Sequence, residues 1–239
     1  MKRFAGRSSN ALRPLQFTLD PMGFALSSLL IRAGSTSVLC SVCLKNGVPP
    51  WREGQGKGWL SAEYRLLPAS TPQRQQRELL KLSGRTQEIQ RLIGRSLRAV
   101  IDMSALGEKT LLIDCDVIQA DAGTRTAAIT GSWVALRLAC SRLLNQGQLI
   151  QDPIKGQVAA VSVGLKDGVA LLDLDYSEDS KADVDLNVVM DAKGNFLELQ
   201  GTAEGKPFSR PDLNKMLEVA EPGISNLLAA QIGVLQKQA

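Results

Sequence analysis

Short apolar segments bounded by glycine, proline or charged residues dominate the first half of the chain. Their β-branched and apolar content is typical of strands. The pattern predicts strands at Leu26–Ile31, Ser37–Leu44, Trp59–Leu67 and Leu111–Ile118. Residues 69–84 are polar and basic, and their prolines predict a loop or a short helix.

Two glycine-containing turns in the second half of the chain predict β-hairpins. The first turn joins Val158–Leu165 to Val169–Leu174, and the second joins Leu186–Met190 to Phe196–Gln200. A hairpin pairs its strands in opposite directions, so we expect antiparallel sheet here.

Helices are predicted in three places. Apolar residues recur at i, i+3 and i+4 from near Thr86, and an apolar face follows Ser209, a predicted N-cap. Between them, small residues after the turn at Gly123 open a helix that runs from Thr124 to about Leu144. Pro222-Gly223 is expected to kink or restart the last helix. Antiparallel strands interleaved with helices indicate an α+β fold.

The junction between the strand at 111–118 and the second helix has the features of an anion site. Gly123 is the predicted turn and Thr124 the predicted N-cap. The start of a helix presents unpaired N–H groups, and Arg125 adds a guanidinium beside them. The pattern alone leaves open a plain threonine cap next to a solvated arginine. Arg85 is expected just outside the start of the preceding helix, within reach of an anion bound at a neighbouring helix end.

Composition limits the chemistry that such a site supports. The 239 residues are 44% hydrophobic and 22% charged, as in ordinary globular proteins, and no stretch is apolar enough to span a membrane. No apolar segment follows Met1-Lys2-Arg3, so we expect no secretory signal and a cytoplasmic location. The chain has no histidine, which excludes a histidine general base.

Cys40 and Cys43 form a Cys-x-x-Cys pair inside a predicted strand. Residues three apart on a strand point to opposite faces. We therefore expect no shared zinc ion at this pair.

Charge is unevenly distributed along the chain, although its net charge is only +4. The charged residues of 74–98 are mostly arginine, whereas the charged residues of 173–185 are all aspartate or glutamate except Lys181. This arrangement suggests that a polyanion and a divalent cation meet in the fold.

Several collinear motifs closely resemble the bacterial ribonuclease PH family. The similarity extends from Gly6 to about Ile224, which is nearly the whole chain. The segments that carry it are Gly84–Ala99, Asp114–Asp121, Gly123–Ala127, Val158–Gly164, Asn187–Met190 and Gln200–Gly205.

The resemblance implies a phosphorolytic 3′→5′ exoribonuclease that removes nucleotides beyond the CCA end of tRNA precursors. Inorganic phosphate would attack the terminal phosphodiester and release a nucleoside 5′-diphosphate, and the reverse reaction would add nucleotides. A role in rRNA processing or decay is also implied. The expected fold is the ribosomal-protein-S5-like β-α-β module with mixed sheets. We expect one domain over residues 1–239, with subdomains at 11–141 and 158–225, assembled as a homohexamer of three dimers.

The resemblance also assigns a phosphate site by motif position. Arg85 and the turn Gly123-Thr124-Arg125 would hold the attacking phosphate. Arginine suits this role because its planar fork grips two phosphate oxygens and stays charged.

Acidic and basic residues elsewhere match further family positions. Asp179 and Asp185 match an acidic pair thought to hold a divalent metal, usually Mg²⁺. Asp183 falls where the family commonly has glutamate and is expected to assist as an acid or an outer ligand. Arg74 and Arg77 match arginines that contact RNA.

Four departures from the family pattern concern RNA affinity and the helper acid. Ala69 replaces an arginine, Pro72-Gln73 replaces a His-Thr pair, Ala122 replaces a glycine, and Asp183-Val184 replaces Glu-Thr. None of them touches Arg85, Thr124 or Arg125.

Two alternatives share the fold. One is an inactive ring subunit that binds RNA, although such subunits typically lose the phosphate arginine or the acids. The other is a catalytic subunit of the archaeal exosome type, which needs a different partner chain to form its ring.

Overall fold

The computed structural model describes Arg3 and residues 6–237. Met1 and Lys2, which belong to the segment expected to hold no secretory signal, lie outside these residues. Within the described part of the chain, no helix is long and apolar enough to cross a membrane.

Two β-sheets form the frame of the molecule. The first sheet has the order β1-β2-β3-β5-β4, and its β4–β5 pair alone is parallel. Its strands are β1 (Leu15–Leu19), β2 (Ser27–Ala33), β3 (Thr36–Asn46), β4 (Trp59–Leu66) and β5 (Lys109–Gln119). The second sheet is antiparallel, with the order β7-β6-β8-β9. Its strands are β6 (Val158–Lys166), β7 (Val169–Leu172), β8 (Val184–Asp191) and β9 (Phe196–Ala203).

In the described ranges, five α-helices and a short 3₁₀ turn after β3 connect and cover these sheets. The helices are α1 (Gly84–Ala99), α2 (Met103–Leu106), α3 (Thr124–Asn145), α4 (Tyr176–Asp179) and α5 (Arg210–Gln236), and the 3₁₀ turn is Pro50–Arg52. Strand β4, helix α1 and strand β5 form a β-α-β unit, because a parallel pair needs a crossover connection. The α+β fold with mixed sheets is therefore confirmed.

Helix α3 lies between the two sheets. It packs against β2 and β3 on one side and against β6 on the other, and most of its residues are buried. Gly131 permits the close approach, because a Cβ atom there would lie 2.8 Å from the Ile31 side chain and 3.0 Å from Cys40 Sγ. Helix α5 packs against β6 and β7. This packing fixes the start of α3 where β5 ends.

Most predicted strands and both hairpins are confirmed. The first hairpin turns at Asp167 (φ 50°) and Gly168 (φ 76°), as its Asp-Gly sequence indicates. The polar segment at 69–84 is a loop up to Ser83. Cys40 is fully buried and Cys43 half-buried on β3, and the described residues contain no metal-type cluster of three or more His, Cys, Asp or Glu side chains.

Three predictions at helix ends are wrong. Gly123, not Thr124, is the N-cap of α3, so Thr124 is the first helical residue. Arg85 lies inside the first turn of α1, because the Ser83 hydroxyl accepts from the Thr86 N–H and starts the helix earlier. Helix α5 continues through Pro222, since its apolar face packs on the second sheet before and after that residue; the predicted restart of the helix is therefore wrong, and the predicted kink stays a prediction.

Candidate active site

A cleft of about 910 Å³ opens where the end of β4, the starts of α1 and α3, and the second sheet meet. All six residues expected to hold phosphate or metal line it. They are Arg85, Gly123, Thr124, Arg125, Asp179 and Asp185. Residues more than 90 positions apart in the sequence are thus brought to one place.

Two side chains, those of Thr36 and Arg13, hold the backbone of the turn before α3. Ala122 (φ 57°) and Gly123 (φ 64°) both have left-handed backbone conformations. The Thr36 hydroxyl donates to the Ala122 carbonyl at 2.6 Å, and Arg13 Nη1 donates to the Asp121 carbonyl at 2.5 Å. A Cβ atom on Gly123 would lie 2.8 Å from Arg13 Nη2. Since glycine has no side chain to cap the helix, the first N–H groups of α3 remain available to an anion.

Thr124 is held by a tyrosine beneath it. The Tyr64 Oη atom lies 2.7 Å from Thr124 Oγ1, and Tyr64 is only 1% exposed at the end of β4. Burial raises the pKa of Tyr64, so its hydroxyl stays protonated at neutral pH. The threonine hydroxyl therefore has a fixed neighbour on its buried side.

Arg125 is oriented by two neighbours, whereas Arg85 has no direct hydrogen-bond or ion-pair partner in the part of the chain that the structure describes. Arg125 Nη1 donates to Gln200 Oε1 at 2.6 Å and lies 3.5 Å from Glu88 Oε2. Gln200 Nε2 in turn donates to Glu88 Oε1 at 3.2 Å. The exposed Arg85 forms no hydrogen bond or ion pair with the described residues. The Arg125 guanidinium is thus held in place by protein contacts, whereas the Arg85 guanidinium keeps all its N–H donors for an anion.

Two carboxylates face these arginines. Asp185 Oδ2 accepts from Asn187 Nδ2 at 3.3 Å, but Asp185 Oδ1 is buried without a partner. The Asp179 carboxylate forms no hydrogen bond or ion pair within the described residues. Desolvation raises the pKa of both aspartates, and the charge of Asp179 raises that of Asp185 further, although Arg85 and Arg125 act in the opposite direction.

The pleat of the second sheet selects which side chains reach the cleft. Asp185 and Asn187 alternate with the buried Val184 and Leu186 along β8, so the polar pair shares one face. Ser162 on β6 pairs with Asn187 across the sheet, and its buried hydroxyl also has no partner. The floor of the cleft is therefore polar and incompletely hydrogen-bonded.

Comparison with known proteins shows the family of the chain. Residues 11–141 match the 3′ exoribonuclease family, domain 1, and residues 156–223 match its domain 2. Ribonuclease PH of Prochlorococcus marinus (strain MIT 9313) is 72% identical over 236 residues, which cover 99% of this chain and 97% of that protein. The chain belongs to the ribonuclease PH family of 3′ exoribonucleases.

Other members and solved structures extend the likeness. Ribonuclease PH of Cyanothece sp. (strain PCC 7425) is 61% identical over 230 residues, covering 96% of each chain. The Archaeoglobus fulgidus exosome with RNA bound to its active site contains a chain of the same fold, with a TM-score of 0.81 at 19% identity. That match covers 95% of this chain and 91% of the exosome chain.

Asp183 lies away from the cleft, although the ribonuclease PH resemblance placed it with the catalytic acids. Its carboxylate accepts from Lys166 Nζ at 3.1 Å and from the Asp167 N–H at 2.9 Å. Those contacts lower its pKa, the Asp167 backbone hydrogen bond most. Asp183 precedes β8 and turns toward the β6–β7 hairpin, so this placement does not support a role as helper acid.

Arg74 and Arg77 do not line the cleft either. Both are exposed on the loop before α1, whose neighbouring residues Gln73, Gln75 and Gln76 do line it. Their expected contact with RNA outside the cleft stays a prediction.

The residues that support the site were not singled out by the sequence. Glu88 carried one usable signal, because it lies one helical turn after Arg85 and so shares a face with it. The others reach the site through sheet pairing and packing across long sequence distances. They are Arg13, Tyr64, Ser162, Asn187 and Gln200.

Proposed function

We propose that the protein is a phosphorolytic 3′→5′ exoribonuclease that trims tRNA precursors. One observation carries the proposal: Arg85, Arg125 and the uncapped start of α3 face Asp179 and Asp185 across a single cleft. Such a site suits a reaction in which an anionic nucleophile must be held against an anionic substrate.

The cationic side of the cleft suits inorganic phosphate as the nucleophile. Arg85, Arg125 and the N–H groups at the start of α3 would neutralise and orient it. A phosphate oxygen forms a bond to the terminal phosphorus while the bond from that phosphorus to the preceding 3′-oxygen breaks. The attacking hydrogen phosphate ion gives up its proton, the 3′-oxygen takes up one proton to become a hydroxyl, and a nucleoside 5′-diphosphate leaves. Since phosphate is already a nucleophile at neutral pH, the reaction needs no histidine base.

The acidic side of the cleft fits a divalent cation. Asp185 Oδ1 is buried without a hydrogen bond, and carboxylate oxygens are the ligands that Mg²⁺ prefers. Asp179 and Asp185 would hold the ion, with water and substrate oxygens completing its coordination. When bound, Mg²⁺ supplies positive charge near the transferring phosphorus and the leaving 3′-oxygen.

RNA binding and assembly complete the proposal. Arg74 and Arg77 would contact the RNA backbone beside the cleft without reading its sequence, which suits an exonuclease. The family resemblance suggests a homohexamer of three dimers, acting in the cytoplasm on tRNA precursors and other RNA 3′ ends.

A tRNA with a 3′ extension tests the reaction directly. Incubation with phosphate and Mg²⁺ should release nucleoside diphosphates, and omission of phosphate should stop the release. Equal release of nucleoside monophosphates without phosphate would reject phosphorolysis. RNA binding with no product at all would indicate the inactive ring subunit.

A further inference from the structure

A buried ion pair joins the first residues of the chain to α4. Arg3 Nε lies 2.7 Å from Glu178 Oε1, and Arg3 Nη2 lies 2.9 Å from Glu178 Oε2. The two side chains are 3% and 1% exposed. Arg3 Nη2 also donates to the Leu172 carbonyl at 2.7 Å. A bidentate pair of this kind fixes both side chains in one geometry.

A second arginine holds the same glutamate. Arg7 Nη2 lies 3.1 Å from Glu178 Oε2 and 3.8 Å from Asp175 Oδ2. Its Nη1 atom donates to the Asp173 carbonyl at 3.0 Å. Arg3 and Arg7 therefore clamp the chain on both sides of the turn that precedes α4.

The Glu178 side chain, which both arginines hold, also forms a hydrogen bond with the backbone at the start of α4. Its Oε2 atom accepts from the Asp175 N–H at 3.2 Å, and Asp175 Oδ1 accepts from the Glu178 N–H at 3.0 Å. This reciprocal capping box closes the only turn of a four-residue helix. So short a helix is not stable alone, and its last residue is Asp179.

The acidic residues of this segment divide into two classes. Asp173, Asp175 and Glu178 are each within 4 Å of an arginine from the start of the chain. Asp179 follows Glu178 directly, lines the cleft, and has no partner within the described residues. The arginines near the start of the chain thus pair directly with the acids that anchor the turn, whereas Asp179 forms no direct ion pair with the described residues and faces the cleft.

We infer that Arg3 and Arg7 are positioning residues, which hold Asp179 in the cleft by clamping Glu178. The inference rests on the proposed function, because it treats Asp179 as a ligand of the divalent cation. Neither arginine lines the cleft, so both act through Glu178 and not on the substrate.

Binding of Mn²⁺, measured from the electron paramagnetic resonance signal of the free ion, tests the inference on the full-length protein. Arg7→Ala keeps the Arg3–Glu178 pair and is therefore the milder variant. Loss of a direct partner of a metal ligand typically weakens metal binding by about 10- to 100-fold. Arg7 acts one contact further from the ion, through Glu178, so we expect a loss near the lower end of that range, about tenfold. The KM for phosphate should stay unchanged, which a general loss of structure would not permit.

Three further variants make the outcome decisive. Arg137→Ala removes an ion pair with Asp152, distant in the fold from α4, and should bind Mn²⁺ like the wild type. Glu178→Gln removes the clamped charge and replaces Arg7→Ala if that variant does not fold. If Asp179→Ala weakens binding while Arg7→Ala and Glu178→Gln bind normally, the inference is overturned. If Asp179→Ala itself binds Mn²⁺ normally, the proposed metal site fails instead.

Discussion

Gln200 Oε1 lies 2.6 Å from Arg125 Nη1, so a side chain of the second sheet orients the arginine at the start of α3. The same amide donates to Glu88 on α1. Three elements are thereby joined around one guanidinium, which is set in advance to receive an anion. Because the Arg125 side chain is already held in one geometry, less conformational entropy is lost when an anion binds to it.

Replacing Gln200 should weaken phosphate binding. Gln200→Leu removes the acceptor and leaves Arg125 with only the longer Glu88 contact. Hydrogen bonds to charged groups contribute about 1.5–3 kcal/mol, so the KM for phosphate should rise by about tenfold or more. Steady-state kinetics at varied phosphate checks this. Glu198→Ala is the matched control, because Glu198 lies on the same strand but pairs with the exposed Arg95; equal effects in the two variants would contradict the assigned role.

Tyr64→Phe should affect both stability and phosphate affinity. The change deletes the hydroxyl beneath Thr124 and leaves the ring in place. A net loss of about 1 kcal/mol in the free energy of unfolding is expected for one buried hydrogen bond. Thr124 would also gain rotational freedom, so the KM for phosphate should rise. Denaturant unfolding and kinetics provide the two measurements; wild-type values in both would show that the contact is unimportant.

Gly123→Ala should damage the turn before α3. Its φ of +64° disfavours any residue with a Cβ atom, and that atom would lie 2.8 Å from Arg13 Nη2. We expect a loss of about 1 kcal/mol or more in unfolding free energy and a severe loss of activity. Gly233→Ala is the control, because this glycine lies in α5 with open space around it and alanine there should stabilise by about 0.5–1 kcal/mol. A fully active Gly123→Ala protein would remove the turn from the phosphate site.

The sequence predicted the residues of the cleft better than the contacts that hold them. β-branched segments and the Asp-Gly turn are local signals, so strands such as β5 and the first hairpin could be predicted. Helix α4 could not, because four residues show no period. The Tyr64–Thr124 and Arg125–Gln200 contacts join residues 60 and 75 positions apart, and the packing of α3 against the sheets brings them together. Asp183 was misplaced for a related reason: a contact with Lys166 on the neighbouring hairpin decides where its carboxylate points.

Asp185→Asn should stabilise the metal-free protein at neutral pH while abolishing activity. Burial raises the pKa of Asp185 in the folded state above the ordinary value of about 3.9. The folded protein therefore loses stability as the pH rises from that ordinary value through the raised pKa. Asparagine at position 185 carries no charge, so the variant does not lose stability as the pH rises. In a chelator, the variant should unfold at a higher temperature than the wild type at pH 7, and the difference should vanish in acid.

With added Mg²⁺, the wild type should unfold at a higher temperature than Asp185→Asn, the reverse of the order in a chelator. A ligand that binds only the folded state stabilises it, so Mg²⁺ should raise the unfolding temperature of the wild type and not that of Asp185→Asn. An equal rise in both proteins would place the ion elsewhere.

The fate of radiolabelled inorganic phosphate tests the central claim most directly. The wild-type protein, Mg²⁺ and a 3′-extended tRNA should transfer the label into the terminal phosphate of the released nucleoside diphosphates, and Arg125→Ala should lose most of this transfer. Unlabelled nucleoside monophosphates as the released product would contradict the claim that phosphate is the nucleophile held by Arg85, Arg125 and the start of α3.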